Sequence, residues 1–191
     1  MKPTLLCLSL LIAAAVSTAG CMPVLQAPIG LPTDPTASMQ IDYGYSILDS
    51  LLDDESSVGE ILQIKSTSHK TSSLLKSISA AAKEARTNLA PLLAKEPVVS
   101  VGETGLPIVE ESTRNRITNI QTARLLLAGS SFEVKVLLTQ ANAMGYGRSL
   151  AASLAEADPN PDRSKFLGQL ENTLADLESQ VIVRLLFLSG S

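Results

Sequence analysis

The chain has 191 residues, a formal net charge of −4 and two cysteines, a length that allows one domain with a hydrophobic core. Its acidic balance disfavours a nucleic-acid-binding surface. Aromatic residues make up only 3% of the chain and tryptophan is absent, so we expect a core of aliphatic side chains, which suits packed helices better than a β-sandwich.

The first segment has the pattern of an export signal. Met1 and Lys2 form a short positive stretch, an apolar run follows over residues 5–16, and small residues occupy 17–20. An apolar run of about a dozen residues matches the hydrophobic region of a signal peptide and is too short to span a bilayer. We therefore predict that residues 1–20 are a signal peptide.

The stretch from Thr18 to Cys21 resembles the lipobox of bacterial lipoproteins, in which a small residue precedes a cysteine that receives a diacylglyceryl group. It departs from that pattern at Thr18, where an aliphatic residue is usual. The resemblance implies a lipid on Cys21, and Met22 after it implies sorting to the outer membrane, facing the periplasm.

Cysteine usage supports lipidation. Cys7 lies inside the predicted signal peptide, so the mature chain keeps Cys21 with no partner for an internal disulfide. A lone exposed thiol is a liability in an oxidising compartment. The alternative is cleavage after Ala19, which leaves a secreted or periplasmic soluble chain with a free or intermolecular thiol.

A proline-rich tether follows the predicted anchor. Residues 21–37 contain prolines at positions 23, 28, 32 and 35, and proline at this density favours an extended path. We assign 21–37 to a lipidated cysteine and linker, and 38–189 to a helical bundle domain.

The first two predicted helices follow the tether. Residues 41, 45, 48 and 52 place one apolar face on a helix that begins near Ser38. Ser57 and Glu60 form a capping-box pattern for a second helix, whose apolar stripe runs from 61 to 92 and is polar near Ser68 and Thr71. The polar stretch 66–73 either fixes the register of the helices or marks a polar cavity. Pro91 should kink or end this helix.

Residues 96–111 have no periodicity and form either a loop across the helix ends or a hairpin, of which we favour the loop.

A third helix is expected from Ser112 to about Ala157, bent at 128–131 or at 145–147. A fourth has Asn160 as N-cap and Pro161 as first residue. Its end, 181–188, is apolar all round apart from Arg184, which predicts burial on more than one side.

These elements predict an all-α fold, an elongated antiparallel bundle of about four helices, two of them long, with a proline-rich N-terminal tether. The two long helices, of about 39 and 45 residues by periodicity, would form a hairpin. Its loop-bearing end would gather Leu92, Leu93 and residues 125–127, either under the loop or as a contact surface for a protein partner or for self-association.

The sequence offers no pattern for catalysis or cofactor binding. It lacks a Gly-rich phosphate loop and a Gly-x-Ser-x-Gly elbow. Residues 132–170 look like the final helical hairpin of the exported ferritin-like families in layout, but without their Glu-x-x-His pairs. His69 is the only histidine, and we expect it on the surface and not as a metal ligand. We thus predict no enzyme, no metal and no cofactor.

The function expected from these features is that of an envelope lipoprotein, held at the membrane by a lipid on Cys21, that acts as a structural or protein-interaction module. The alternative is a periplasmic-type binding protein that holds an apolar or envelope-derived ligand between its helices.

Cys21 supplies the first testable prediction. Mass spectrometry of the mature N-terminus should find a diacylglyceryl group on Cys21, and Cys21→Ala should abolish membrane association because the thioether cannot form. An unmodified mature chain that begins at Gly20 would contradict lipidation.

Overall fold

The computed structural model describes residues 35–102 and 127–190, together with isolated residues between them: 109, 112, 113, 116, 117, 120 and 125. The signal peptide, Cys21 and most of the tether lie outside the described residues. The helices are α1 (Pro35–Ser56), a 3-10 helix (Val58–Gln63), α2 (His69–Leu93), α3 (Phe132–Ala157) and α4 (Pro161–Ser189). No strand occurs among the described residues, and the predicted all-α fold is confirmed.

The helices form a bundle in which all packed neighbours are antiparallel. α1 packs against α2 and α3, and α4 packs against the same two helices. Hydrogen bonds from Arg86 on α2 to Asp49 on α1, at 2.9 and 3.1 Å, tie α1 to α2. We call the end where α1 begins and α2 and α3 finish the proximal end, and the opposite end the distal end.

α2 and α3 are therefore parallel and stand on a diagonal of the bundle. Glu133, at the start of α3, accepts a 2.5 Å hydrogen bond from Ser68, which precedes α2. Residues 94–131 must therefore carry the chain from the proximal end back to the distal end. The expected hairpin of the second and third helices is wrong: Leu92 and Leu93 lie proximally, whereas Leu127 lies near the distal start of α3.

The second helix is shorter than predicted. The Ser57 side chain makes no capping hydrogen bond, and only a 3-10 helix follows it. α2 begins at His69 instead, where the Ser68 hydroxyl accepts a hydrogen bond from the Thr71 N–H, because this serine also contacts Glu133 across the bundle. From Thr71 to Leu89 the predicted stripe is buried, and the helix continues through Pro91 and ends at Leu93.

The third helix is also divided. Residues 127–131 are not helical, and α3 starts at Phe132, so the structure interrupts the helix at 128–131, where the sequence predicted a bend. The helix is uninterrupted through Gly145 and Gly147, where a bend was the alternative. Gly147 permits close packing, since a Cβ there would lie 2.7 Å from Leu51 Cδ2 on α1.

The described part of the loop, residues 96–102, covers the proximal half of α1. The Ser100 N–H donates to Asp42, and the Gly102 N–H donates to the buried Ser46 hydroxyl. Within this segment the Val99 side chain is buried in the core. Within these residues the predicted loop is correct.

The distal end of α4 differs from its prediction. Asn160 caps the helix and accepts hydrogen bonds from the N–H groups of Asp162 and Arg163, as expected. The apolar residues near its end are exposed, however, although the sequence predicted their burial on several sides: Ile182, Val183, Leu186 and Phe187. Among the described residues, no helix combines the length and hydropathy needed to cross a bilayer.

A buried ion pair closes the proximal end. The side chains of Arg163 and Asp158 are 0% exposed and make a two-point contact, with Nε–Oδ2 at 2.7 Å and Nη2–Oδ1 at 3.0 Å. The remaining nitrogen, Nη1, donates to the carbonyl of Lys95 at 2.8 Å. The Tyr45 hydroxyl on α1 donates to Asp158. Four segments of the bundle thus meet at one arginine.

Burial and hydrogen bonding shift the pKa values of Tyr45 and Arg163 in this cluster. Removal from water raises the pKa of Tyr45, and the hydrogen bond to Asp158 raises it further, so the phenol stays protonated and acts as a donor. Burial lowers the pKa of Arg163, but the hydrogen bond with Asp158 outweighs it and the pKa is raised overall.

Replacing the buried arginine should destabilise the fold. Arg163→Met retains much of the side-chain volume but leaves the Asp158 charge buried and unpaired, which should lower the free energy of unfolding by about 3–5 kcal/mol in chemical denaturation. As a control, Arg148→Met breaks a partly exposed pair with Glu178 and should cost about 1 kcal/mol or less. Equal losses would contradict the assigned role of Arg163.

Candidate functional site

A polar cluster joins three helices at the distal end. Glu133 Oε1 accepts hydrogen bonds from the hydroxyls of Ser68 and Thr71 and from Arg184 Nη2, the last at 2.9 Å. Arg184 also donates from Nε to Thr71 at 3.0 Å and from Nη2 to Ser68 at 2.7 Å. These contacts join α2, α3 and α4, so the polar positions near Ser68 and Thr71 fix the register of the helices.

The cluster holds Glu133 as a carboxylate. Burial raises its pKa, but the hydrogen bonds from Ser68, Thr71 and Arg184 together lower it to about 2. The ion pair with Arg184 is only partly shielded from water, with the glutamate side chain 21% exposed. Each polar group of the cluster has a partner on a neighbouring helix, so the cluster joins the distal ends of α2, α3 and α4.

Contacts of Glu178 identify which faces of α3 and α4 meet. Its carboxylate lies 3.2 Å from Arg148 Nη1 on α3. A Cβ added to Gly145 would lie 2.7 Å from Glu178 Oε1. Each step of four residues turns a helix by only about 40°, so Ile182 lies next to the Glu178 side of α4, and Leu186 lies about 80° round from Glu178, further toward solvent.

The corresponding side of α3 is also apolar. Leu138 and Val134 lie about two and three turns before Gly145, on the same side of the helix. Since Gly145 stands beside Glu178 and Glu133 beside Arg184, the antiparallel register places Leu138 level with Ile182 and Val134 level with Leu186. These four side chains are 37–67% exposed, and we call them the distal apolar face.

A groove lies on the other side of α4, between it and α2. Its volume is about 410 Å³, and we call it the α2–α4 groove. Phe187 lies in its wall, with the ring centroid 5.5 Å from Lys70 Nζ and 5.1 Å from Arg184 Cζ. The groove thus combines aromatic surface with two cationic side chains.

A carboxyl group is buried in the core between α1 and α3. Glu55 is 7% exposed, and its Oε2 and the Oε1 of Gln140 have no hydrogen-bond partner among the described residues. Burial raises the pKa of Glu55 to about 7, against a hydrogen bond with Gln140 that lowers it, and the charge of Asp54 adds to the rise. Glu55 therefore takes up a proton near neutral pH.

The residues singled out by the sequence fall in different places. Cys21 lies outside the described residues. His69 is exposed, as expected, at the rim of the α2–α4 groove. Among the described side chains, no three of His, Cys, Asp or Glu are grouped as a metal site would need.

Sequence reasoning missed the proximal cluster and found only the Ser68 and Thr71 part of the distal one. Asp158 pairs with Arg163 in the core, and nothing in the sequence marks this carboxylate as buried. Arg184 was noticed as a charge in an apolar run, but its partner Glu133 is 51 residues away. No local signal specifies such a pairing.

Comparison of the chain with protein families, curated protein sequences and solved structures finds no match.

The buried Glu55 should make stability depend on pH. Its pKa rises from 4.5 to about 7 on folding, so the folded chain binds more protons than the unfolded chain between these values. The free energy of unfolding should therefore fall as the pH rises from 4.5 to 7, by about 3 kcal/mol from this group. Glu55→Gln should remove that decline and make the protein more stable than wild type at pH 8.

Urea denaturation at intervals from pH 4.5 to pH 8 measures this effect, with the exposed Glu60→Gln as the matched control. Glu133 titrates below this interval because its pKa is lowered to about 2. A wild-type decline that persists in Glu55→Gln would show that another group is responsible.

Proposed function

We propose that this protein is a lipid-anchored envelope protein whose helical bundle binds a protein partner through the distal apolar face. The anchor is a lipid on Cys21, and the proposed location is the periplasmic face of the outer membrane. The observation that carries the binding proposal is the exposure of four aliphatic side chains at one level of two packed helices, α3 and α4. The role is one of binding and assigns no catalytic residue.

Exposed aliphatic side chains of this kind favour association. The four residues of the face come from two packed helices and lie at the same distal level of them by register: Val134, Leu138, Ile182 and Leu186. Single exposed apolar residues are common, whereas a contiguous group surrounded by polar residues is typical of an interaction site. Burying apolar surface contributes about 25 cal/mol per Å², so covering this face with a partner is favourable.

The position of the face favours a protein over the anchoring membrane. The tether enters α1 at Pro35, at the proximal end. The face lies near the end of α4, a helix of 29 residues that extends about 43 Å at 1.5 Å per residue. A domain held by its proximal end therefore presents this face away from the lipid anchor.

The shape of the face fits a helix. Two antiparallel helices expose parallel rows of aliphatic side chains with a shallow depression between them, into which the side-chain ridge of a third helix packs. Polar groups surround the rows, among them the Arg148–Glu178 pair on the proximal side and the exposed Lys135 on α3. An apolar centre with a polar rim is the usual composition of a protein interface. The proposed partner is thus a protein with an amphipathic helix.

Photocrosslinking in intact cells tests this proposal. A photoreactive phenylalanine analogue replacing Ile182 should give an adduct of defined mass, whereas the same analogue at Asn172, an exposed position on the same helix, should not. Leu138→Glu on the facing helix should abolish the adduct at 182, because a charge in the apolar row opposes its burial.

Ser153→Glu adds the same charge to α3 at an exposed proximal position and should leave the adduct intact. An adduct with the mass of two copies of this chain would show self-association in place of a different partner. Crosslinking from 172 and 182 alike, or insensitivity to Leu138→Glu, would refute binding at this face.

A further inference from the structure

The α2–α4 groove has the size and the wall of a small-molecule site. Its volume of about 410 Å³ lies within the range of roughly 300–1,000 Å³ typical of such sites. Leu74, Val183 and Phe187 supply apolar surface from both helices, and Ser73, Ser77 and Gln180 supply hydrogen-bonding groups.

The charges of the groove are all positive. Lys70 and Arg184 both stand over the Phe187 ring, and no carboxylate belongs to the described wall. Arg184 is already paired with Glu133 at 2.9 Å, whereas Lys70 has no ion-pair partner among the described carboxylates. The first turn of α2, which carries Lys70, adds the positive end of the helix dipole.

We propose that the α2–α4 groove binds a small anionic amphiphile, a molecule with one carboxylate, sulfonate or phosphate group and an apolar body. Lys70 pairs with the anionic group, while Leu74 and Val183 contact the apolar body. The site is distinct from the distal apolar face, because Val183 lies on the α2 side of α4 and Ile182 on its α3 side. The proposal therefore does not depend on the proposed protein partner.

Two fluorescent probes separate the charge from the apolar contact. 1-Anilinonaphthalene-8-sulfonate is anionic, and N-phenyl-1-naphthylamine is its uncharged counterpart with the same ring system. Both are titrated into the full mature chain carrying Cys21→Ala, so that no lipid or detergent competes. We expect saturable binding of one anionic probe per chain, weakened about tenfold or more by Lys70→Glu, as loss of a charged contact predicts.

The variants have matched controls. Lys83→Glu makes the same charge change at an exposed position on the same helix, 13 residues away, and should leave the affinity unchanged. The uncharged probe should bind Lys70→Glu as it binds wild type, whereas Val183→Asp should weaken both probes. Equal effects of Lys70→Glu and Lys83→Glu, or loss of binding in Leu138→Asp but not in Val183→Asp, would overturn the assignment. Circular dichroism spectra of all variants confirm that each is folded.

Displacement of the anionic probe distinguishes the sources of the natural ligand. Dodecanoate below its micelle concentration should displace the probe from wild type. The dodecanoate concentration that saturates wild type should not displace the probe from Lys70→Glu. Displacement by phosphatidylglycerol vesicles but not by dodecanoate would identify a membrane surface as the occupant and refute a small-molecule site.

Discussion

The bundle depends on the buried pair of Arg163 and Asp158. This arginine lies in the first turn of α4 and donates a hydrogen bond to the carbonyl of Lys95, just after the end of α2. Its partner Asp158 accepts a hydrogen bond from the Tyr45 hydroxyl on α1. Each buried polar atom of the pair therefore has a partner, which is the condition under which a buried charge is tolerated. The cluster aligns the proximal ends of all four helices, and the positions along the helices follow from that alignment.

The polar groups at the two ends of the bundle differ in their exposure to water. The proximal cluster is sealed from water, whereas the Glu133–Arg184 cluster is partly exposed and bordered by uncovered aliphatic side chains. The last turns of α4 show the contrast, because Arg184 faces the polar cluster and Leu185 packs against the core, while Ile182, Val183 and Leu186 are exposed.

Much of the architecture is local and could be predicted from the sequence. Periodicity found α1, the buried stripe of α2 from Thr71 to Leu89 and the core face of α4, and the Asn160–Pro161 pair located the start of α4 correctly. What failed depends on contacts between distant segments. Ser57 and Glu60 have a good capping pattern, but Ser68 caps α2 because Glu133 lies beside it, 65 residues further along the chain. Likewise the exposure of Leu186 could not be predicted, since a helix that is apolar all round gives no indication of which sides have neighbours.

The parallel arrangement of α2 and α3 affects where the chain tolerates changes in length. The described start of the connecting segment, residues 95–102, is fixed by contacts with Arg163, Asp42 and Ser46. The entropy of loop closure changes by only about 0.6 kcal/mol for each doubling of loop length, so this contribution depends weakly on the length of residues 94–131, which join diagonal helices. The turn at residues 158–160 is the opposite case, because its three positions include the ion-pair carboxylate and the cap of α4. Insertions are therefore best accommodated between the two helical hairpins and are excluded from the turn within the second one.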